Sequence, residues 1–220
     1  MALRALIFDF DGLVVDTETA IFEAWREFYA AHGQALGIET WAQCVGSDFG
    51  GYDPMRELEE ATGLEFDWGL EVQRIESRRD AIVADSPVLP GVRERLIEAA
   101  ALGLPCSIAS SSPRSWVEPW LAKLGLREYF QNVTVLDDVG IAKPAPDLFL
   151  HAAARLGVAA DEVVIFEDSL NGLRAARAAA MRCAIVPGPT TRHLDFGGAW
   201  TMLSSLAETT VKALQIQFTA

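Results

Sequence analysis

A short apolar run near the start of the chain ends in two carboxylates and a glycine, and this feature constrains the fold most strongly. The run from Ala5 to Phe8 has the composition of a buried strand in a parallel sheet. Gly12 permits the sharp turn by which the chain leaves that sheet. We therefore expect Asp9 and Asp11 at the carboxyl end of a strand, where open α/β sheets bind their ligands.

Two other interpretations of this stretch are open at this point. Aspartate and glycine are common in surface turns, and calcium loops of the EF-hand kind also combine them. The calcium loop needs acids at three alternate positions before its glycine, whereas Gly12 directly follows the second acid. A predicted strand also leads into the loop, where an EF-hand has a helix. Crowded carboxylates repel one another, so a hard cation is the expected ligand of this turn.

The size and charge of the chain restrict its architecture and its partners. Its 220 residues are half apolar, which suffices for one domain or for a domain with an insertion. The net charge of −13 and the pI of about 4.6 disfavour nucleic acid and anionic membranes as partners. We find neither an apolar run near the ~20 residues that span a bilayer nor a secretory leader. We expect a cytoplasmic monomer with buried thiols at Cys44, Cys106 and Cys183.

Residues 17–86 carry helical patterns and no strand signal. An apolar stripe predicts a helix over 20–32, a proline after a capping aspartate predicts one over 53–63, and 67–84 is predicted as a charged, exposed helix. The last of these bears Arg74, Arg78 and Arg79. An insertion after the first strand would hang over the carboxyl ends of the sheet as a lid that excludes water. The alternative is a helical decoration that only adds core.

From residue 87 onward, apolar runs alternate with helical stretches, as in parallel βαβ units. The predicted strands are 106–109, 133–135, 163–166, 183–186 and 200–203, and the principal helices are 92–102, 148–156, 170–181 and 207–216. A further helix carries Trp116 and Trp120 at core spacing, which we interpret as packing. The fold class is thus α/β: a doubly wound parallel-sheet core, residues 1–16 and 87–220, with an inserted all-helical cap domain, residues 17–86.

Polar side chains follow four of the predicted strands. They are Asp9 and Asp11; Ser110, Ser111 and Ser112; Lys143; and Glu167 and Asp168. Parallel strands gather their carboxyl ends at one edge of the sheet. A phosphate dianion approaches such carboxylates only when Mg²⁺ and a cationic side chain neutralise the charge. Each group alone also fits a solvated loop, a turn or a helix cap, but their joint appearance favours a phosphoryl-transfer site.

These segments resemble the four motifs of the haloacid dehalogenase (HAD) superfamily. The matching stretches are Asp9-Phe10-Asp11-Gly12 with Asp16-Thr17, Ile108-Ala109-Ser110, Lys143-Pro144-Ala145-Pro146-Asp147, and Phe166-Glu167-Asp168-Ser169 with Gly172. The resemblance covers essentially the whole chain. It is closest to the branch of β-phosphoglucomutase and small sugar-phosphate phosphatases, whose helical cap follows the first motif. It implies a Rossmann-like core and a Mg²⁺-dependent phosphatase that acts on a small phosphorylated metabolite.

The resemblance also implies a role for each site residue. Asp9 would be the nucleophile that forms an aspartyl-phosphate, and Asp11 the general acid that later activates water as a base. The implied phosphate-binding residues are Ser110, Ser111 and Lys143. The implied Mg²⁺ ligands are Asp9, the backbone carbonyl of Asp11, Asp168, and Glu167 directly or through water.

Three positions depart from the family pattern. Ile21 stands where β-phosphoglucomutases carry a histidine, and residues 47–49 contain no basic residue where those enzymes carry a cap arginine. Both departures favour a hydrolase, with a phosphomutase as the alternative. Ala180 stands where the family often has glycine, a change that we expect to affect packing only.

The sequence disfavours two further chemistries. A phospho-accepting signalling module also gathers acids, a hydroxyl and a lysine at strand ends, but it lacks a counterpart of Asp11 and a large helical insertion. Dehalogenase chemistry needs neither a second acid nor a metal, so Asp11 and Asp168 disfavour it.

Overall fold

Six parallel strands form one sheet in the order β3-β2-β1-β4-β5-β6. In the computed structural model, which describes residues 2–46 and 52–219, the strands are β1 (Ala5–Phe8), β2 (Cys106–Ala109), β3 (Phe130–Thr134), β4 (Val163–Glu167), β5 (Arg182–Ile185) and β6 (Thr201–Met202). Strand β1 pairs in parallel with both β2 and β4. Because the strand order reverses at β1, its carboxyl end is the switch point where a sheet of this kind binds ligands.

Helices cover both faces of the sheet. They are α5 (Val92–Ala101), α6 (Arg114–Lys123), α7 (Leu136–Val139), α8 (Asp147–Leu156), α9 (Leu170–Ala178) and α10 (Val211–Thr219). Leu6 and Phe8 of β1 pack with α5, α6 and α10, whereas Ala5 and Ile7 pack with α8 and α9. Burial on both faces explains why the strand runs are continuously apolar. The predicted doubly wound α/β core is confirmed.

The chain between β1 and α5 is helical wherever the structure describes it. It contains α1 (Thr17–Ala31), α2 (Ile38–Trp41), α3 (Pro54–Thr62) and α4 (Trp68–Val83). These helices surround an apolar cluster of their own, in which the ring of Trp25 lies 6.3 Å from Trp41 and 6.1 Å from Trp68. The all-helical character is as predicted, and the division into domains at residues 16 and 87 stays a prediction.

Several element boundaries differ from the prediction, among them the last helix, which runs Val211–Thr219 rather than 207–216, and two of the differences have a physical reason in the structure. Strand β3 begins at Phe130 rather than at residue 133, because the polar Asn132 is buried and its side-chain oxygen accepts a hydrogen bond from Ser107 on β2. Helix α9 ends at Ala178 rather than at residue 181, because Ala180 adopts a left-handed conformation with φ of 56°. The side chain of Ala180 is exposed, so the expectation that alanine there affects packing only is wrong.

The three cysteines are buried thiols, as predicted. None of the described helices has the length and apolar composition needed to cross a membrane.

Candidate active site

The ends of β1 and β4 bring the first and last of the predicted acids together. Asp9 continues β1 by donating its backbone N–H to the carbonyl of Phe166 at 3.0 Å. Asp168 follows β4 directly, and its Oδ2 lies so near Gly12 that a Cβ there would stand 2.2 Å from it. Gly12 also has a φ of 77°, so both its backbone conformation and this close approach require glycine.

A buried ammonium joins two of the carboxylates. The Nζ of Lys143 contacts the Oδ1 of Asp9 and lies 2.8 Å from the Oε1 of Glu167. All three side chains are almost completely buried. Burial by itself would lower the pKa of Lys143, but the carboxylates of Asp9 and Glu167 outweigh it and hold that pKa above its usual range. Lys143 therefore stays charged beside Asp9.

The remaining negative charge of this cluster calls for a further cation. Burial raises the pKa of Asp9 to about 8, with Glu167 adding to the effect and Lys143 opposing it. Burial is also the main cause of the raised pKa of Asp168. Carboxylate oxygens of Asp9, Glu167 and Asp168 lie within 4.8 Å of one another, and the buried Oδ2 of Asp168 has no hydrogen-bond partner. An unpaired buried oxygen in an acidic cluster fits a hard divalent cation such as Mg²⁺.

Both oxygens of Glu167 are already engaged by protein groups. Oε1 accepts from Lys143, and Oε2 accepts from the backbone N–H of Ser169 at 2.7 Å and from its hydroxyl at 2.9 Å. Ser169 also caps α9, because its Oγ accepts from the N–H of Gly172 at 3.0 Å. The resemblance implies that Glu167 binds Mg²⁺ either directly or through water. Because both of its oxygens already accept hydrogen bonds, binding through water fits this environment better.

Asp11 is held by four donors that surround its carboxylate. Its Oδ1 accepts from the hydroxyl of Thr17 at 2.7 Å and from the indole N–H of Trp116 at 2.9 Å. Its Oδ2 accepts from the hydroxyls of Ser112 at 2.6 Å and Ser110 at 3.3 Å. The predicted packing of Trp116 is confirmed, since its ring packs against the core, but the prediction missed the hydrogen bond that its N–H makes to Asp11. Its position in the first turn of α6, just beyond a strand end, is the sequence signal that points to the site.

Two neighbouring cavities share Asp11 in their linings. The inner pocket, about 70 Å³ in volume, is lined by Asp9, Asp11 and the serines 110–112, with Glu18 and Gly46. The outer chamber, about 380 Å³, lies between the sheet and the helical segment, and Asp11, Glu18, Gly46 and Ser112 line it as well. Asp9 lines only the inner pocket. The arrangement has room for a phosphoryl group beside Asp9 and a larger group beyond Asp11.

A family profile described as haloacid dehalogenase-like hydrolase matches residues 3–180. The chain belongs to this hydrolase family. YhcW of Bacillus subtilis is 39% identical over 206 residues, covering 94% of this chain and 93% of YhcW. Hexitol phosphatase B of Escherichia coli is 32% identical over 230 residues, covering 96% of each chain. A crystal structure of CbbY from Rhodobacter sphaeroides with xylulose-(1,5)bisphosphate has 28% identity and a TM-score of 0.79, covering 97% of this chain and 99% of that one.

These relationships make the chain a phosphatase of the haloacid dehalogenase-like family. In this hydrolase, Ser111 lines the inner pocket but its hydroxyl is engaged with the backbone. It donates to the carbonyl of Gly46 and accepts from the N–H of Lys143, both at 3.2 Å. Ser111 thus links the helical segment to the loop that carries Lys143. Positions 47–49, where the family's mutases have a basic residue, lie outside the described residues.

Of the three arginines on α4, one faces the active site of this hydrolase. Arg79 lines the outer chamber, pairs with Asp80 at 2.8 Å and lies 4.0 Å above the ring of Trp116. Arg74 and Arg78 line a different groove and each pairs with a glutamate of the helical segment. The predicted exposure of this helix therefore fails at Arg79, whose side chain is 20% exposed.

Proposed function

We propose that this hydrolase is a Mg²⁺-dependent phosphatase that cleaves the monophosphate ester of a sugar or polyol through an aspartyl-phosphate. The observation that carries this proposal is the position of the two acids relative to the cavities. Asp9 lines only the inner pocket, whereas Asp11 lines both the inner pocket and the outer chamber. A substrate that fills both cavities places phosphorus beside Asp9 and its ester oxygen beside Asp11.

Asp9 supplies the nucleophile in this mechanism. A carboxylate oxygen of Asp9 bonds to phosphorus while the bond from phosphorus to the ester oxygen breaks. Lys143, in contact with Asp9, offsets the negative charge that nucleophile and phosphoryl oxygens bring together. Attack by water on phosphorus then releases phosphate and regenerates the carboxylate.

Asp11 moves the protons. In the first step it gives a proton to the departing ester oxygen, because an alkoxide is a poor leaving group. In the second step it takes a proton from the attacking water. The hydroxyls of Ser110 and Ser112 contact its Oδ2 and line the inner pocket, so they also offer donors to the phosphoryl oxygens.

Mg²⁺ fits at the buried acids. Asp9 and Asp168 would bind it through side-chain oxygens, Asp11 through its backbone carbonyl, and Glu167 through water. The unpaired Oδ2 of Asp168 and the acidic cluster around it support this assignment. When bound, Mg²⁺ supplies positive charge that stabilises the ionised carboxylates and the phosphoryl group.

The charges of the outer chamber favour a neutral leaving group. Arg79 is the only basic side chain among the described residues that line it, and it already pairs with Asp80. Glu76 adds negative charge, whereas burial and the nearby Asp11 raise the pKa of Glu18 well above its usual range, and both side chains offer oxygen acceptors to hydroxyl groups. Trp41 and Trp116 offer ring surface to C–H groups. The relative hexitol phosphatase B, which is 32% identical, is named for hexitol phosphates, and a hexitol is a neutral leaving group of this kind. A second phosphate would meet one paired cation and several acids.

A hydrolase fits the chamber better than a phosphomutase. Ile21 lines it, and an isoleucine provides no hydrogen bond with which to hold a bisphosphate intermediate or to distinguish a sugar hydroxyl from water. We further propose that residues 17–86 act as a cap domain over the site, since residues of both units line the chamber. We also propose that the enzyme is monomeric and cytoplasmic and that it has no nucleic-acid or membrane partner.

The test is a panel of phosphorylated metabolites assayed for released phosphate with and without Mg²⁺. The panel contains hexitol 6-phosphates, fructose 1-phosphate, glucose 6-phosphate, xylulose 1,5-bisphosphate and a phosphorylated carboxylic acid. We expect Mg²⁺-dependent hydrolysis with the highest kcat/KM for a neutral sugar or polyol monophosphate. Activity that persists in excess chelator would exclude the metal, and preference for a bisphosphate would exclude the neutral leaving group.

The nucleophile is tested by Asp9→Asn, whose amide cannot form the acyl-phosphate. We expect phosphate release from every substrate to disappear while the thermal unfolding profile shows a folded protein. Asp67→Asn is the matched control, since Asp67 caps α4 on the surface and asparagine caps a helix equally well. Turnover of Asp9→Asn near the wild-type rate would refute the assignment.

A further inference from the structure

The indole of Trp116 contacts the reacting carboxyl directly. Its Nε1–H donates to the Oδ1 of Asp11 at 2.9 Å, and the hydroxyl of Thr17 reaches the same oxygen at 2.7 Å. Trp116 is only half-buried, unlike Trp120 one turn later on α6. A tryptophan that served packing alone would not place its one polar atom on a catalytic acid.

This contact determines where a proton on Asp11 can lie. An indole nitrogen can only donate, so Oδ1 must act as an acceptor toward Trp116. The other oxygen, Oδ2, faces the hydroxyls of Ser110 and Ser112, which can both donate and accept. A neutral Asp11 therefore carries its hydrogen on Oδ2. Since both serines line the inner pocket, that oxygen lies on the side of the phosphoryl group.

The ring of Trp116 is held from two directions. The guanidinium of Arg79, on α4 of the helical segment, lies 4.0 Å from the ring centre. The ring of Trp120 packs against it edge to face, with the centroids 5.7 Å apart. One contact comes from its own helix and the other from across the outer chamber. The orientation of the N–H toward Asp11 therefore depends on the placement of the helical segment over the sheet.

We propose that Trp116 is a positioning residue that fixes the transferable proton of Asp11 on Oδ2, aimed at the leaving ester oxygen, and that Arg79 holds the ring in place. The proposal rests on the role of Asp11 as the general acid in the proposed function. It adds that the indole N–H, rather than the carboxyl alone, selects the oxygen that protonates the leaving group.

Trp116→Phe tests this with two leaving groups. Phenylalanine keeps a ring for Arg79 but removes the N–H. A hexitol 6-phosphate must leave as an alkoxide and needs the proton, whereas p-nitrophenyl phosphate releases a stable phenolate without it. Because kcat/KM covers the steps up to phosphoryl transfer to Asp9, it isolates the protonation of the leaving group. We expect a fall of about 10–100-fold with the hexitol phosphate, part of the ~10²–10⁴-fold that a positioned acid supplies.

With p-nitrophenyl phosphate, the same variant is expected to change kcat/KM by less than about threefold, since no acid is needed there. The ratio of the two kcat/KM values is the deciding quantity, because it does not depend on the fraction of folded enzyme. Equal losses on both substrates, or no loss on the hexitol phosphate, would overturn the proposal. A structural role alone would leave the ratio unchanged.

Three further variants separate this inference from the proposed function. Trp200→Phe is the matched control, because Trp200 is also half-buried and lies under an arginine but lines neither cavity, and it should leave the ratio at the wild-type value. Arg79→Ala should shift the ratio in the same direction as Trp116→Phe but less, because the indole remains. Asp9→Asn should lose activity on both substrates. If Asp9→Asn is inactive while Trp116→Phe keeps the wild-type ratio, the phosphatase mechanism stands and the positioning role falls.

Discussion

Asp9 and Asp11 are two residues apart, yet their surroundings suit them to different tasks. Asp9 is almost fully buried beside the ammonium of Lys143 and the carboxylate of Glu167. Asp11 is half-buried among neutral hydroxyl and indole donors. Neighbouring carboxyls in unlike environments can divide the roles of nucleophile and acid. Side-chain alternation in a continued strand would put residues 9 and 11 on the same face, so the separation comes from the turn by which the chain leaves the sheet after β1 ends at Phe8.

Ala180 offers a test of backbone strain at the residue scale. Its φ of 56° lies in the left-handed region, which costs an L-residue roughly 1–2 kcal/mol. Ala180→Gly removes that cost but loses more chain entropy on folding, worth roughly 0.5–1 kcal/mol. We expect a net stabilisation of about 0.5–1 kcal/mol, seen as a higher midpoint in urea unfolding at unchanged slope.

Ala178→Gly is the matched control for this prediction. Ala178 is the last residue of α9 and is also exposed, but it has helical geometry. Glycine there should destabilise the protein by roughly 0.5–1 kcal/mol. If both variants lower the unfolding midpoint, the left-handed conformation at residue 180 carries no strain that glycine relieves.

At the scale of elements, the junction of β4 with α9 positions Lys143 through Glu167. A Cβ at Gly172 would stand 1.9 Å from the carboxyl carbon of Glu167, so the first turn of α9 packs directly on that side chain. Gly172→Ala should displace Glu167 and with it Lys143. We expect stability to fall by about 1–3 kcal/mol and kcat/KM to fall on the order of 10²-fold.

Gly69→Ala is the control for a glycine-to-alanine change within a helix. Gly69 lies in the first turn of α4, and a Cβ there would approach only the side-chain oxygen of Asp67. The free energy of unfolding of Gly69→Ala should stay within about 0.5 kcal/mol of the wild-type value. Full activity of Gly172→Ala in steady-state assays would show that the Glu167 carboxylate can move without consequence for Lys143.

The elements differ in how far the sequence predicts them. Strands β1, β2 and β4 are predicted well because their apolar runs end directly in the polar site residues. Strand β3 is only partly predicted, because its first residues include the polar Asn132, which interrupts the apolar run. Asn132 is accommodated in the sheet by its hydrogen bond with Ser107. Trp116 and Arg79 are missed for another reason. Helical spacing predicts which face of a helix is apolar, whereas only the tertiary packing of α4 against α6 places Arg79 over the ring of Trp116 and the indole N–H of Trp116 on Asp11.

The outer chamber belongs to the molecule as a whole, because neither the sheet nor the helical segment forms it alone. Its isoleucine at residue 21 leads to a prediction about reaction type. With β-glucose 1-phosphate and β-glucose 1,6-bisphosphate as activator, we expect no glucose 6-phosphate above the rate of simple hydrolysis. The measurement pairs a coupled glucose 6-phosphate assay with phosphate release.

Ile21→Val is the conservative control and should hydrolyse the same substrates at similar rates. Ile21→His tests whether a polar side chain at this position allows the enzyme to form glucose 6-phosphate from β-glucose 1-phosphate. Interconversion by the wild-type enzyme that outpaces phosphate release would establish the phosphomutase instead and leave the proposed hydrolase a side reaction.

The distribution of the thiols makes the stability of each part of this molecule separately measurable. Cys106 lies in the cluster on one face of the sheet, Cys183 in the cluster on the other face, and Cys44 in the cluster of the helical segment. A buried thiol reacts with a labelling reagent only when its surroundings open. The rates of modification at the three positions therefore report the opening of each layer. Mass spectrometry of the labelled peptides would show whether the helical segment opens without the sheet.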